Sequence, residues 1–198
     1  MSNGLSIAGR KASCDGFDFY ETPAWATQKV VEAMLDDGLL SRTDDIYEPC
    51  AGTGAIVHVL ESMGFKNVRK SDIQDEPYVC GEHGVDIYNI PDNSCDIVFT
   101  NPPYNLMTLK EKDGGSVLRE FLRISNQKVV LLVNVFFLSS KERKELLETS
   151  CLRHMYIHSD RVTMFLFGED KPKNGGTKMY VWLVWDKTYH GKPTFSWI

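Results

Sequence analysis

The stretch "DIYEPCAGTGAIVHVLESMGF", residues 45–65, reads as a short strand, a turn carrying Gly52 and Gly54, and a helix. The helix turns Ile56, Val57, Leu60 and Met63 inward, and Gly64 closes it. The flanking sequence repeats this alternation. Upstream, "ETPAWATQKVVEAMLDDGLL" (21–40) predicts a helix with Thr22 as N-cap and Pro23 at the first helical position, and with Val30, Val31, Met34 and Leu35 on one face. Downstream, "NVRKSDIQD" (67–75) reads as a second strand, "GVDIYNIP" (84–91) as a third short element and "SCDIVFTNPPY" (94–104) as a fourth strand. "SVLREFLRISN" (116–126) is helical, "KVVLLVNVFFL" (128–138) is a continuous apolar strand, and "SSKERKELLETS" (139–150) is a capped helix. Two strand-like runs follow, "HMYIHSDRVTMFLF" (154–167) and "KMYVWLVWDK" (178–187), with "GEDKPKNGGTK" between them. The pattern predicts an α/β fold with a mostly parallel sheet, helices on both faces and a C-terminal antiparallel hairpin at one edge. No repeat or linker divides the chain, so residues 1–198 are expected to form a single domain.

Composition narrows the function classes. The 198 residues include 42% hydrophobic and 25% charged side chains, with ten Phe, eight Tyr and four Trp, enough to bury a core. No run is apolar enough for a membrane span or a signal peptide. Five scattered cysteines argue for a reducing, cytoplasmic compartment over a disulfide framework. Cys80 and His83 in "CGEH" fall short of a four-ligand zinc set, so no metal is expected. A net charge of −5 predicts weak non-specific binding to phosphates, although only a contacting face must be basic.

In open α/β sheets the ligand lies at the carboxyl ends of the strands. Here the strongest punctuation falls at those ends. Gly52 and Gly54 in "EPCAGTG" allow a tight turn and close backbone approach, which fits an ordinary strand-to-helix turn as well as a ligand loop. Glu48 at its head repels pyrophosphate and suits a ligand with an ammonium or sulfonium group. Asp72, at the end of the next strand, stands about where a ribose diol is held in nucleoside-binding folds. Asp86 comes next in line and can accept from an adenine amino group.

"NPPY" (101–104) then breaks a core strand, because proline has no amide hydrogen to give. The Asn101 side chain and the Pro102 carbonyl are two fixed acceptors, suited to a planar –NH2 group. Accepting both hydrogens favours the pyramidal, more nucleophilic nitrogen and stabilises the positive charge that grows during attack. Tyr104 offers a flat face for a base.

"ETP", "EPCAGTG", "SD", "VD" and "TNPPY", in that order, resemble the S-adenosylmethionine-dependent N6-adenine methyltransferases, and among them the gamma-class DNA enzymes. The resemblance covers about residues 18–138. "RVTMFLF" and "MYVWLVWD" are more loosely similar to the late strands of small phage and prophage adenine methylases. The resemblance implies a Rossmann-like methyltransferase fold, S-adenosyl-L-methionine as cofactor and a nucleic-acid substrate, DNA ahead of RNA. It implies that Tyr20 and Thr22 border the methionine part of the cofactor and that Glu48, Cys50, Gly52 and Gly54 form its floor. Asp72 would take the ribose, Ile73 the adenine ring, and Asp86 and Ile87 the adenine edge. Asn101, Pro102, Pro103 and Tyr104 would hold the target amine and ring, Asn101 bordering the cofactor as well. Phe165 would be a second wall. Read from the residues alone, Lys171, Lys173 and Lys178 of "GEDKPKNGGTK" fit phosphate contacts as well as a solvated surface loop. "NLMTLKEKDGGSV" (105–117), with Gly114 and Gly115, would serve as a moving loop.

The departure is the absence of a separate target-recognition domain, which leaves specificity to short loops, a specificity partner or a homo-oligomer. "NPPY" does not separate adenine in DNA from adenine in RNA or a protein glutamine. Glutamine methylases of this type usually carry an N-terminal helical domain, for which the residues before "ETP" leave no room. A non-catalytic cofactor-binding module is a further reading, against which the intact acceptor pair argues.

Overall fold

The computed structural model describes residues 20–104, 107, 117–139, 141–166 and 178–198. Nine strands and four α-helices lie among them: β1 (Tyr20–Glu21), α1 (Ala24–Asp36), β2 (Ile46–Glu48), α2 (Ala55–Ser62), β3 (Val68–Lys70), β4 (Cys95–Thr100), α3 (Val117–Ile124), β5 (Ser125–Asn134), α4 (Lys141–Thr149), β6 (Leu152–Ile157), β7 (Phe165–Leu166), β8 (Tyr180–Asp186) and β9 (Thr194–Trp197). Seven strands form one sheet in the order β3-β2-β4-β5-β8-β6-β9. Only β8 runs against the others, antiparallel to both β5 and β6. β1 and β7 form a separate antiparallel pair.

Alternation along the strands builds two cores. Ile46, Ile97, Phe99, Val130, Leu132 and Trp182 pack on Val30, Val31 and Met34 of α1 and on Ile56 and Leu60 of α2. Val98, Val129, Leu131, Val133, Leu183 and Trp185 pack on Leu118, Phe121 and Ile124 of α3. Trp182 and Trp185 are fully buried on opposite faces of β8. Each buried tryptophan removes a large apolar area from water, and its ring N–H finds a partner, His158 for Trp182 and Ser150 for Trp185.

Four expectations need correction. The α1 N-cap is Pro23, not Thr22, and no side chain caps it, because the Thr22 hydroxyl is engaged elsewhere. "GVDIYNIP" makes no strand. Its Ile87–Asn89 form a 3₁₀ turn capped by Asp86, whose carboxylate accepts from the Tyr88 amide. β5 starts directly after α3 and ends at Asn134, so "VFFL" (135–138) is a 3₁₀ turn. The closing antiparallel pair exists as β6 and β8, but β8 is threaded between β5 and β6. An unanticipated strand, β9, takes the edge beside β6. No helix among the described residues is long and apolar enough to cross a membrane.

Candidate cofactor and amine site

At the carboxyl edge the strand order reverses between β3 and β4 on either side of β2, which leaves a crevice there. The Glu48 carboxyl at the end of β2 is 1% exposed. Its Oε1 accepts from the Thr100 hydroxyl, and its Oε2 has no hydrogen-bond partner among the described residues. Burial pushes this carboxyl well above the usual carboxylate range. The Thr100 hydroxyl and the Cys50 amide pull it partly back, and Asp72 adds to the rise. A buried acceptor with one oxygen unused favours a cation as its partner.

The glycine loop is held from below. Gly52 and Gly54 have φ of 50° and 85°, in the left-handed region that glycine enters without cost. The Gly52 amide donates to Asp72 Oδ2 at 2.9 Å, and the Gln74 amide donates to Asp72 Oδ1 at 3.0 Å. Asp72 therefore clamps the loop, and each oxygen keeps a lone pair for a ligand hydroxyl. The Cys80 amide donates to the Gly52 carbonyl at 2.7 Å, and a Cβ on Gly54 would meet Cys80 Sγ at 2.7 Å. The "CGEH" segment is thus packing for the loop. Among the described residues no cluster of His, Cys, Asp and Glu is arranged to hold a metal ion.

Ile73 follows Asp72 and is 51% exposed, an apolar surface placed for a flat ring. The Val85 amide donates to the Asp72 carbonyl, which brings half-buried Asp86 and Ile87 to the same rim. Cys50 is half-buried, and burial raises its thiol pKa well above the ordinary value, with Glu48 adding to the rise. Tyr20 reaches the site on β1, whose neighbour Glu21 accepts from the Thr53 hydroxyl at 2.6 Å. That bond ties β1 to the glycine loop.

Asn101 and Tyr104 form one network. Asn101 Nδ2 donates to the Thr22 hydroxyl at 3.1 Å, and the Tyr104 hydroxyl donates to Asn101 Oδ1 at 2.6 Å. Thr22 therefore holds the Asn101 side chain. Tyr104 is half-buried, and its ring lies 6.0 Å from that of Tyr180. Burial, with Tyr180 second, raises its pKa well above the ordinary phenol value. Pro102 is buried and Pro103 half-buried at the head of the break.

Sequence reasoning missed Thr100, Glu21, Thr53 and Tyr180. Thr100, Glu21 and Thr53 carried a signal, since they lie within "TNPPY", "ETP" and "EPCAGTG". Tyr180 depends on which strands meet. Phe165 sits on β7 opposite Glu21, but its side chain lies outside the described residues, as do Lys171, Lys173 and the loop around Gly114 and Gly115.

No family model and no curated protein matches the chain. Solved structures do. A protein assigned as an RNA methyltransferase from Pyrococcus horikoshii has a TM-score of 0.60 at 16% identity, with 86% of this chain and 87% of that one covered. A protein assigned as a class I S-adenosylmethionine-dependent methyltransferase from Listeria monocytogenes has a TM-score of 0.58 at 11% identity, with 90% of this chain covered. The methyltransferase subunit of a type I restriction-modification system from Streptococcus thermophilus has a TM-score of 0.59 at 14% identity, with 91% of this chain covered. The chain spans 65% of the Listeria protein and 47% of the Streptococcus subunit. With six strands parallel, β8 reversed and helices on both faces, this is the Rossmann-like methyltransferase fold.

Proposed function

We propose that the protein is an S-adenosylmethionine-dependent methyltransferase acting on the N6 amine of adenine in DNA. The observation that carries the reading is the position of Asn101. Asn101 directly follows Thr100, the last residue of β4, and the Thr100 hydroxyl bonds Glu48, so one residue links the amine acceptor to the cation acceptor. The residues fit S-adenosylmethionine. Glu48 Oε2 lacks a partner and suits the ammonium, Asp72 keeps lone pairs for the ribose hydroxyls, and exposed Ile73 suits the adenine ring. Asp86 already caps a turn through Oδ1, and its Oδ2 suits the adenine amino group. When bound, this group supplies an electrophilic methyl.

The chain's own residues position and polarise the amine. Asn101 Oδ1 and the Pro102 carbonyl accept its two hydrogens, which frees the nitrogen lone pair for attack and stabilises the growing charge. Asn101 Oδ1 accepts from Tyr104, and its second lone pair is left for the incoming amine, so the phenol bond holds the acceptor in place. The likeness to a restriction-modification methyltransferase subunit and the motif order both favour DNA. Short loops, a partner that selects the target sequence, or a homo-oligomer would supply sequence selectivity.

The test is incubation with labelled cofactor and, separately, duplex DNA, single-stranded DNA and RNA, followed by nucleoside mass spectrometry. N6-methyladenine from DNA is expected. Product from RNA alone would overturn the DNA assignment, and no product from any of the three would overturn the adenine assignment.

Two substitutions probe the halves of the site. Asp72→Ala should weaken cofactor binding by about 1–3 kcal/mol, through lost charge-assisted hydrogen bonds and a freed Gly52 amide. Calorimetry showing unchanged affinity would remove Asp72 from the site. Tyr104→Ala should cost about 1–3 kcal/mol in stacking, whereas Tyr104→Phe keeps the ring and removes only the hydroxyl that donates to Asn101. Comparing methylation rates on one adenine-containing oligonucleotide decides this. Equal damage from both changes would mean that the phenol acts through its hydroxyl.

A further inference from the structure

An exposed apolar lip stands on the same rim as Asn101. Phe136 is 71% exposed and Met179 55% exposed. They lie where β5 ends and β8 begins, and the Val135 amide donates to the Met179 carbonyl at 2.9 Å. The turn that presents Phe136 is braced. Asn134 Oδ1 accepts from the Phe136 amide at 3.0 Å. Arg143 donates to the Phe137 carbonyl at 3.3 Å, and its guanidinium lies 4.8 Å over the buried Phe137 ring. Phe136 is therefore a large ring held out into water on a fixed support. Tyr180, next to Met179 in the chain, has its ring 6.0 Å from that of Tyr104, so the lip stands beside the amine site along the rim, with alternation turning Met179 and Tyr180 to opposite faces.

Exposed lysines stand beside the lip, on an α4 that carries three acidic and three basic side chains, in a chain of net charge −5. α4 packs against the turn, and its first residue, Lys141, is exposed. Lys178, next to Met179, is exposed too. Lys144 is set apart, since it pairs with Glu148 at 3.8 Å. A flat apolar surface between cations suits a strand that alternates bases and phosphates.

We propose that this lip carries the substrate strand. A base next to the target stacks on Phe136 and Met179, and the flanking phosphates meet Lys141 and Lys178. The inference rests on the proposed nucleic-acid substrate and adds the surface that holds it. It also gives an acidic chain a local means of offsetting the cost of extruding a base.

The test uses the full chain and a fluorescein-labelled single-stranded oligonucleotide containing one adenine, followed by anisotropy across a salt series. Phe136→Ala should weaken binding roughly 5- to 100-fold, and Phe136→Trp should restore it. The double change Lys141→Glu, Lys178→Glu should flatten the salt dependence by a log–log slope of about 0.7 per lysine. Cofactor affinity by calorimetry should be unchanged in all of them, since none lies at the glycine loop. If the wild type binds and the variants match it in affinity and salt slope, the lip assignment falls alone. If the wild type binds no oligonucleotide, lip and substrate class fall together. If Phe136→Ala instead dissolves an oligomer seen by light scattering and leaves oligonucleotide binding intact, the lip is a protein contact and the inference is wrong.

Discussion

Asn101→Ala should fold, still bind cofactor and lose methyl transfer by roughly 10²–10³-fold, by analogy with removal of one preorganised oxyanion-hole donor. The side chain follows the end of a buried strand, and among the described residues Thr22 and Tyr104 are the hydrogen-bond partners it would leave. The fold therefore keeps its core, and the deficit belongs in kcat. Single-turnover kinetics with saturating cofactor isolates the chemical step. Near-normal turnover would remove Asn101 as the amine acceptor and, with it, the argument that joins the two halves of the site.

Glu48→Gln should move stability and cofactor binding in opposite directions. Burial raises the Glu48 carboxyl pKa well above the usual carboxylate range. The unfolded chain releases this proton at ordinary acidic pH, whereas the folded chain holds it to higher pH. The unfolded state thus binds fewer protons across that window, and stability falls as pH rises through it. Glutamine does not ionise, so the variant's melting temperature should be higher than the wild type's at neutral pH and less sensitive to pH. Cofactor affinity should show the reverse trend. A cation bound at Oε2 favours the carboxylate, so affinity in the wild type should rise with pH over the same window, while the variant should bind roughly 10- to 100-fold more weakly at its upper end, with the gap closing as pH falls. Thermal melts and calorimetry at a series of pH values check both. A variant that melts lower and binds as tightly would mean that the carboxyl is structural.

Much of this was legible before any coordinates. The glycine turn, the acids at the ends of β2 and β3, and the proline break after β4 lie within short segments whose local chemistry shows their roles. The periodicity of "KVVLLVNVFFL" marked a buried strand, but not its end. Asn134 bonds to the Phe136 amide and turns the chain, and this local competition with the ladder leaves apolar spacing unchanged. Thr22 read as a cap from its place before Pro23. Its hydroxyl instead serves Asn101, a contact between residues far apart in the chain. Tyr104 read as a free stacking face, and neither its bond to Asn101 nor its contact with Tyr180 could be inferred without knowing that β8 lies beside β5. β9 was missed because its Phe195 and Trp197 face water, so its sequence lacks the buried character by which strands are recognised.

The threading of β8 has a consequence for how the chain is made. Residues 180–186 pair on one side with 128–134 and on the other with 152–157, and they fill both cores at once. Until they leave the ribosome, β5 and β6 have no partner between them and their apolar edges stay open. The earlier strands and helices can form a half-sheet, but they cannot close it. Completion is therefore a late, non-local event with a high loop-closure cost, of the kind that slows folding. A nascent chain stalled before residue 180 should be a substrate for chaperones, and the change in tryptophan emission as Trp182 and Trp185 enter their opposite cores should mark the moment the sheet is sealed.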